Sequence, residues 1–199
     1  MPGPTTVLNS GKTLGEICQV ANLPDEARAM LGNDTDGPGF VGQLIAQARH
    51  RDAVRFLAHA LPTRPAVWWA WYCARQAHGA APDPKAQAAL DATQRWIAQP
   101  ADENRRAAME SAEIAEFGTP AGCAGLAAFF AGDSIGPADR DPVPPPPNMT
   151  AKIISSCIAL AAVFDEPKSA TENFKEFLKQ GLEVAEKTRL WTAPEGRGR

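Results

Sequence analysis

Residues Thr63–Gln76 read TRPAVWWAWYCARQ. Three tryptophans and a tyrosine fall within the five residues Trp68–Tyr72, and Arg75 follows. On a helix, Trp68, Trp71, Tyr72 and Arg75 share one side, while Trp69, Cys73 and Gln76 lie a quarter turn or more away. Val67 and Ala74 share the side of Trp71. Little of the circumference is polar, and a helix that is apolar nearly all round is central to its fold. Buried rings contribute strongly to stability, so the segment is expected to anchor the core. Part of it could still reach the surface, where Trp and Arg serve as contact anchors. Trp69 and Arg75 are the candidates, with Arg64 at the head of the helix. No carboxylate accompanies the rings, which argues against an aromatic cage for a cation.

Working outward, the chain is punctuated for helices. Thr13 and Glu16 fit a capping box ahead of a helix over Leu14–Ala21. A second short helix is predicted over Pro24–Leu31, and GNDTDGPG at Gly32–Gly39 reads as a loop. Phe40, Val41, Leu44, Ile45 and Ala48 make a helical stripe, with a corner at His50–Arg51. Ala53, Phe56, Leu57 and Ala60 form the next stripe, which stops before Pro62. Thr63 reads as the N-cap of the aromatic helix and Gly79 as its stop.

Asp83–Pro84 opens a helix striped by Ala86, Ala89, Leu90, Thr93, Trp96 and Ile97, closed at Pro100. Asp102 and Glu103 place negative charge at the next helix start, where the dipole favours it. That helix carries Ala108, Ala112 and Ala115, with Ile114 and Phe117 beside them. Thr119–Pro120 opens a small-residue helix to about Ala131. GPADRDPVPPPPN is a polyproline linker over 136–148. A nearly all-apolar helix follows from Thr150 to Phe164. The last helix turns Phe174, Phe177, Leu178, Leu182 and Ala185 inward.

No segment alternates apolar and polar residues long enough for a strand. The expected class is all-α: one irregular helical bundle or helical-hairpin stack of about eight or nine helices, with the polyproline linker before the last two. Residues 1–135 form the main array, 149–191 a C-terminal pair packing on it, and 192–199 a disordered tail.

Composition narrows function. Net charge is −3 with no basic stripe, which gives nucleic acid no electrostatic support. Cys18, Cys73, Cys123 and Cys157 are widely spaced and read as small buried hydrophobes in a reducing compartment. The opening MPGPTTVLNSGKT lacks a basic and then apolar leader pattern, and no apolar run reaches the ~20 residues of a membrane span. A soluble, cytoplasmic protein with no membrane insertion is expected.

The chemical motifs each have a structural explanation. NSGKT at Asn9–Thr13 resembles the end of a phosphate loop, but Thr6 stands where the motif needs glycine, and helix capping accounts for the same residues. His50, His59 and His78 have no metal-site spacing. His50 and His78 are predicted near helix ends that favour a cation. GTPAGCAG at Gly118–Gly125 looks like a nucleophile turn, yet Gly122 and Gly125 read better as sites of close helix approach. Ser155 and Ser156 bond back to their own helix. Glu110, Glu113 and Glu116 form a solvated strip, and the charges of ENRR at 103–106 are expected to be exposed. No catalytic residue, cofactor or metal is expected.

AVRFLAHALPTRPAVWWAWYCAR, RWIAQP, FGTPAGCAGLAAFFAGDS and VPPPP before an apolar helix, together with EARAML near the start, resemble in that order the bacterial domain-of-unknown-function family DUF6931. The resemblance implies a single helical protein of about 200 residues with no established activity to carry over. It also implies a loose association with gene neighbourhoods of secretion systems and FHA-type signalling modules. The leading expectation is a non-enzymatic adaptor, or an accessory protein of such an assembly, that binds another protein. The alternatives are a small-molecule or peptide-binding module with a groove near Trp69 and Arg75, and an enzyme of unrecognised type.

Overall fold

The structure, a computed structural model, describes residues 8, 11–32 and 35–192. Residues 193–199 of the tail expected at 192–199, and Asn9–Ser10 of the phosphate-loop-like stretch, lie outside the described residues. The described chain is all-α. It contains α1 (Leu14–Val20), α2 (Asp25–Arg28), α3 (Gly37–Ala46), α4 (His50–Ala60), α5 (Thr63–His78), α6 (Pro84–Ala98), α7 (Asp102–Ile114), α8 (Pro120–Phe130), α9 (Met149–Val163) and α10 (Ala170–Lys187), with a 3-10 turn at Pro167–Ser169. Among the described residues, no helix is long and apolar enough to cross a membrane.

Local chemistry sets most boundaries. Thr13 and Glu16 complete the capping box of α1: Glu16 N–H donates to Thr13 Oγ1 at 3.2 Å, and Thr13 N–H donates to Glu16 Oε2 at 2.7 Å. Asp83 receives the amides of Lys85 and Ala86 at the head of α6, and Thr119 receives that of Gly122 at the head of α8. Three features differ from the sequence reading. Helix α3 begins inside the predicted loop, because Asp36 accepts from Gly39 N–H at 2.7 Å and starts the helix at Gly37. The N-cap of α5 is Pro62, with Thr63 already helical. The corner before α4 falls at Ala48, whose φ of 56° turns the chain, and not at His50–Arg51.

Helix α5 occupies the middle of the array and packs against α6, α8, α9 and α10. Helix α9 packs on α4, α5 and α8, so the nearly apolar helix after the prolines lies within the body. Its Cys157 thiol donates to Pro120 O at 3.4 Å, and Cys123 of α8 donates back to Ile153 O at 3.6 Å. All four cysteines are free and buried. Burial pushes the Cys18 thiol up to about 11 and holds that of Cys73 well above its ordinary value.

Helices α6, α7 and α8 pack on one another through small residues. A Cβ on Gly122 would stand 2.1 Å from Glu116 O, and one on Gly125 2.8 Å from Ala108 O, so only glycine admits this approach. The proline-rich connection is laid against this body. Ile135 N–H donates to Val143 O at 2.8 Å, Val143 N–H to Ser134 Oγ at 3.0 Å, and Arg106 Nη2 to Gly136 O at 2.8 Å.

Candidate functional site

The outward arc of α5 differs from its inward arc in one decisive way. Ala66, Val67, Trp69, Ala70, Cys73 and Ala74 are buried. Trp69 is 0 % exposed, and its Nε1 donates to Phe177 O at 2.7 Å. It therefore cannot serve as the surface contact that the sequence suggested. The helical wheel separated the two faces correctly, but α8, α9 and α10 cover the Trp69 face, leaving the Trp68, Tyr72 and Arg75 side outward. Trp71 on this arc is tied down, because its Nε1 donates to Leu90 O at 3.0 Å.

Trp68 is half-buried and stacks on Tyr72, with ring centroids 5.6 Å apart and planes 23° from parallel. It forms one wall of a groove of about 470 Å³ lined by Arg64, Pro65, Trp68, Ile97, Val184, Lys187 and Thr188. Three helix ends meet there: the start of α5, the last turn of α6 and the last turns of α10. Pro65, Trp68, Ile97 and Val184 make the floor and walls apolar. Arg64 and Lys187 are exposed and put two cations on the rim. Both stand near helix C-termini, whose partial negative charge favours cations.

Arg64 has a defined structural task. Its Nε donates to Ile97 O at 2.5 Å and its Nη2 to Ala98 O at 2.9 Å, satisfying carbonyls that the end of α6 leaves without helical partners. That contact fixes Ile97 beside Trp68. Of the three sequence-derived candidates, the structure thus puts Arg64 in the groove, Trp69 in the core, and Arg75 exposed about three turns beyond Arg64 on α5 and outside the groove. Trp68, Ile97, Val184 and Lys187 were missed, since no local pattern shows that the ends of three helices distant in sequence coincide.

Other clefts open elsewhere on the described surface. One of about 390 Å³ lies by Arg105, Arg106 and Asp102. Arg105 is only 3 % exposed, contrary to the expectation that ENRR is solvated. It pairs with Asp102, donates to Phe129 O at 2.8 Å and lies 4.9 Å from the Phe129 ring centroid. These contacts join the start of α7 to the end of α8. Asp102 also accepts from Arg106 Nε at 2.7 Å, and the two guanidinium groups hold its carboxyl below the usual range. A polar cleft of about 370 Å³ contains Tyr72, Asp165, Glu166 and Glu176. There burial, and then the neighbouring Glu176, raise the Tyr72 hydroxyl. A third, of about 460 Å³, runs between His59 and Pro145–Pro147.

His50 opens α4 rather than closing a helix, so the dipole there disfavours the cation that the sequence suggested. It is 7 % exposed and stacks on Phe174, with centroids 6.0 Å apart. His78 does close α5, but it packs against Phe164 with centroids 4.7 Å apart, and burial holds it below its ordinary pKa. Among the described residues, no group of three or more His, Cys, Asp or Glu is placed to hold a metal ion. Ser155 and Ser156 donate to Ala151 O and Lys152 O, four residues back in α9.

The chain belongs to DUF6931, a family of unknown function, whose profile matches residues 40–185. That span runs from Phe40 in α3 to Ala185 in α10, and it contains the aromatic helix and most of the groove lining. No curated protein and no solved structure matches the chain.

Proposed function

We propose that this protein is a non-enzymatic adaptor, an accessory component of a bacterial secretion or signalling assembly, and that it receives an acidic, apolar segment of a partner protein in the Trp68 groove. One observation carries the reading: an apolar trough walled by an accessible tryptophan and rimmed by Arg64 and Lys187. Trp and Arg concentrate binding energy where partners meet, because each offers a large flat surface and a directional donor. Trp68 Nε1 has no hydrogen-bond partner among the described residues, while Trp69 and Trp71 both spend theirs on backbone carbonyls. The indole of Trp68 is thus available to an acceptor on the partner. The rim cations select a segment bearing carboxylates.

Selection from a displayed peptide library tests this reading. The wild-type protein is expected to enrich peptides that combine aromatic or aliphatic residues with Asp or Glu, and the Trp68→Glu variant to lose that enrichment. Equal recovery with both proteins, or no enrichment with either, would contradict the reading. Selective retention of a small metabolite with no peptide enrichment would favour a ligand-binding module at the same groove.

A further inference from the structure

The end of α7 carries an exposed apolar feature set among charges opposite to those of the groove. Ile114, the last residue of α7, is 60 % exposed, and Phe117 just beyond it is 40 % exposed. Both are large side chains that water-facing positions ordinarily avoid as neighbours. Glu110, Glu113 and Glu116 around them are all exposed. Glu110 stands one turn before Ile114 on the same face of the helix. The end of α7 is therefore an apolar knob collared by carboxylates, while the groove is an apolar trough rimmed by cations.

The two features cannot belong to one patch. Helices α6 and α7 pack together and are joined by only the three residues 99–101, so α7 runs back along α6. Ile97 lies at the turn of this hairpin and Ile114 at its open end. A 13-residue helix separates them by about 20 Å.

Resting on the reading that the Trp68 groove is a docking site, we propose that its occupant is a second copy of this chain, which inserts Ile114 and Phe117 against Trp68 and Ile97 and sets Glu110 and Glu113 against Arg64 and Lys187. Charge and shape both favour this occupant: the knob supplies the carboxylate-flanked apolar segment that the groove selects. The contact is head to tail. Each molecule bound through its groove still offers a free knob, so association runs on into a ring or a filament instead of stopping at a symmetric pair.

Sedimentation velocity over a concentration series, with two complementary variants, tests this. Trp68→Glu disables the groove and leaves the knob; Ile114→Glu with Phe117→Glu disables the knob and leaves the groove. The altered side chains are half-buried or exposed, and circular dichroism verifies that both variants fold. The wild-type protein is expected to exceed its 21.2 kDa monomer mass as concentration rises. Each variant alone is expected to associate at least about tenfold more weakly. An equimolar mixture is expected to form a dimer and stop, because only one intact groove and one intact knob remain per pair. As a second check, Lys187→Glu is expected to weaken association, and adding Glu110→Lys in the mixed partner to restore it. A wild-type protein that stays monomeric, variants that associate as the wild type does, or a mixture that grows past the dimer would each overturn the proposal. Should the wild-type protein remain monomeric while peptide selection still depends on Trp68, only self-association falls and the groove keeps its role with a different partner.

Discussion

Trp69 and Gly181 share one space: a Cβ on Gly181 would stand 2.6 Å from Trp69 Cζ2 and 2.8 Å from Cε2. Helix α10 can lie on α5 only because it has no side chain at this point. The same approach brings Phe177 O within 2.7 Å of Trp69 Nε1, so a full indole is buried with its one polar atom satisfied. Since Leu57 Cδ1 is 3.2 Å from the same Cβ position, the ring has no free side to move into. Gly181→Ala is expected to destabilise the protein by about 1–3 kcal/mol, read as a lower urea midpoint at unchanged slope. A neutral or stabilising effect would mean that α10 does not seat on Trp69 as described.

Where α7 meets α8, the obstacle is backbone rather than side chain. A methyl at Gly122 would meet Glu116 O, and one at Gly125 would meet Ala108 O. The Ala108 carbonyl belongs to the middle of α7 and the Glu116 carbonyl accepts from Thr119 in the turn after it, so neither can swing aside freely. Gly122→Ala and Gly125→Ala are each expected to cost about 1–3 kcal/mol or more, while Gly42→Ala, with nothing within 4 Å of the added methyl, serves as the tolerated control. Thermal unfolding of the three variants side by side checks this.

Arg64 links stability and binding. Removing its guanidinium leaves Ile97 O and Ala98 O without their donors and releases one wall of the groove. Arg64→Ala is expected to cost about 1 kcal/mol of stability, together with partner affinity. Arg64→Lys is expected to recover little of either, since a single ammonium cannot reproduce the two-pronged contact. Full recovery by lysine would show that charge alone matters there.

Three histidines set the response to acid. Nε2 of His50, His59 and His78 is buried with no partner. Burial is the main cause that lowers each from the ordinary value of 6.5. Lys175 adds to it at His50, where Glu172 opposes; the bond from His59 to Arg55 O opposes it there; Asp83 opposes it at His78. The unfolded chain gains protons near 6.5 while the native one resists them. Stability is therefore complete above that value and falls as pH drops below it toward the folded values. The depressed carboxyls of Glu16, Asp83 and Asp102 begin to lose their contribution only further into acid, nearer their ordinary values of 4.5 and 3.8. Urea midpoints are expected to agree at neutral and mildly alkaline pH and to drop by about pH 5, with His50→Gln and His59→Gln each flattening the drop. A midpoint that rises on acidification would contradict the assignment.

The sequence made the helices legible because their ends are written locally. Thr13, Asp83 and Thr119 each cap a helix with a side chain three or fewer residues from the amide it receives. The stripe Ala86, Ala89, Leu90, Thr93 and Trp96 is buried as its spacing predicts. What stayed hidden is long-range. A wheel drawn for α5 separates Trp68 from Trp69 but carries no information on which side α8, α9 and α10 will cover. The one available signal was Gly181, a lone glycine inside a helical stripe, which marks a close approach by something large. Arg105 looks like any surface cation in ENRR, and only the return of Phe129 from 24 residues later buries it. The groove is assembled from residues 64–68, 97 and 184–188, and no window of sequence contains all three.

The division of labour between adjacent tryptophans is tested most directly by hydrogen exchange of the indole N–H groups, followed by nuclear magnetic resonance with each of the five tryptophans assigned. Trp69 and Trp71, bonded to Phe177 O and Leu90 O, are expected to exchange slowly, and Trp68 at close to the rate of an open indole. A protected Trp68 beside a rapidly exchanging Trp69 would contradict the account, placing the groove on the wrong side of α5.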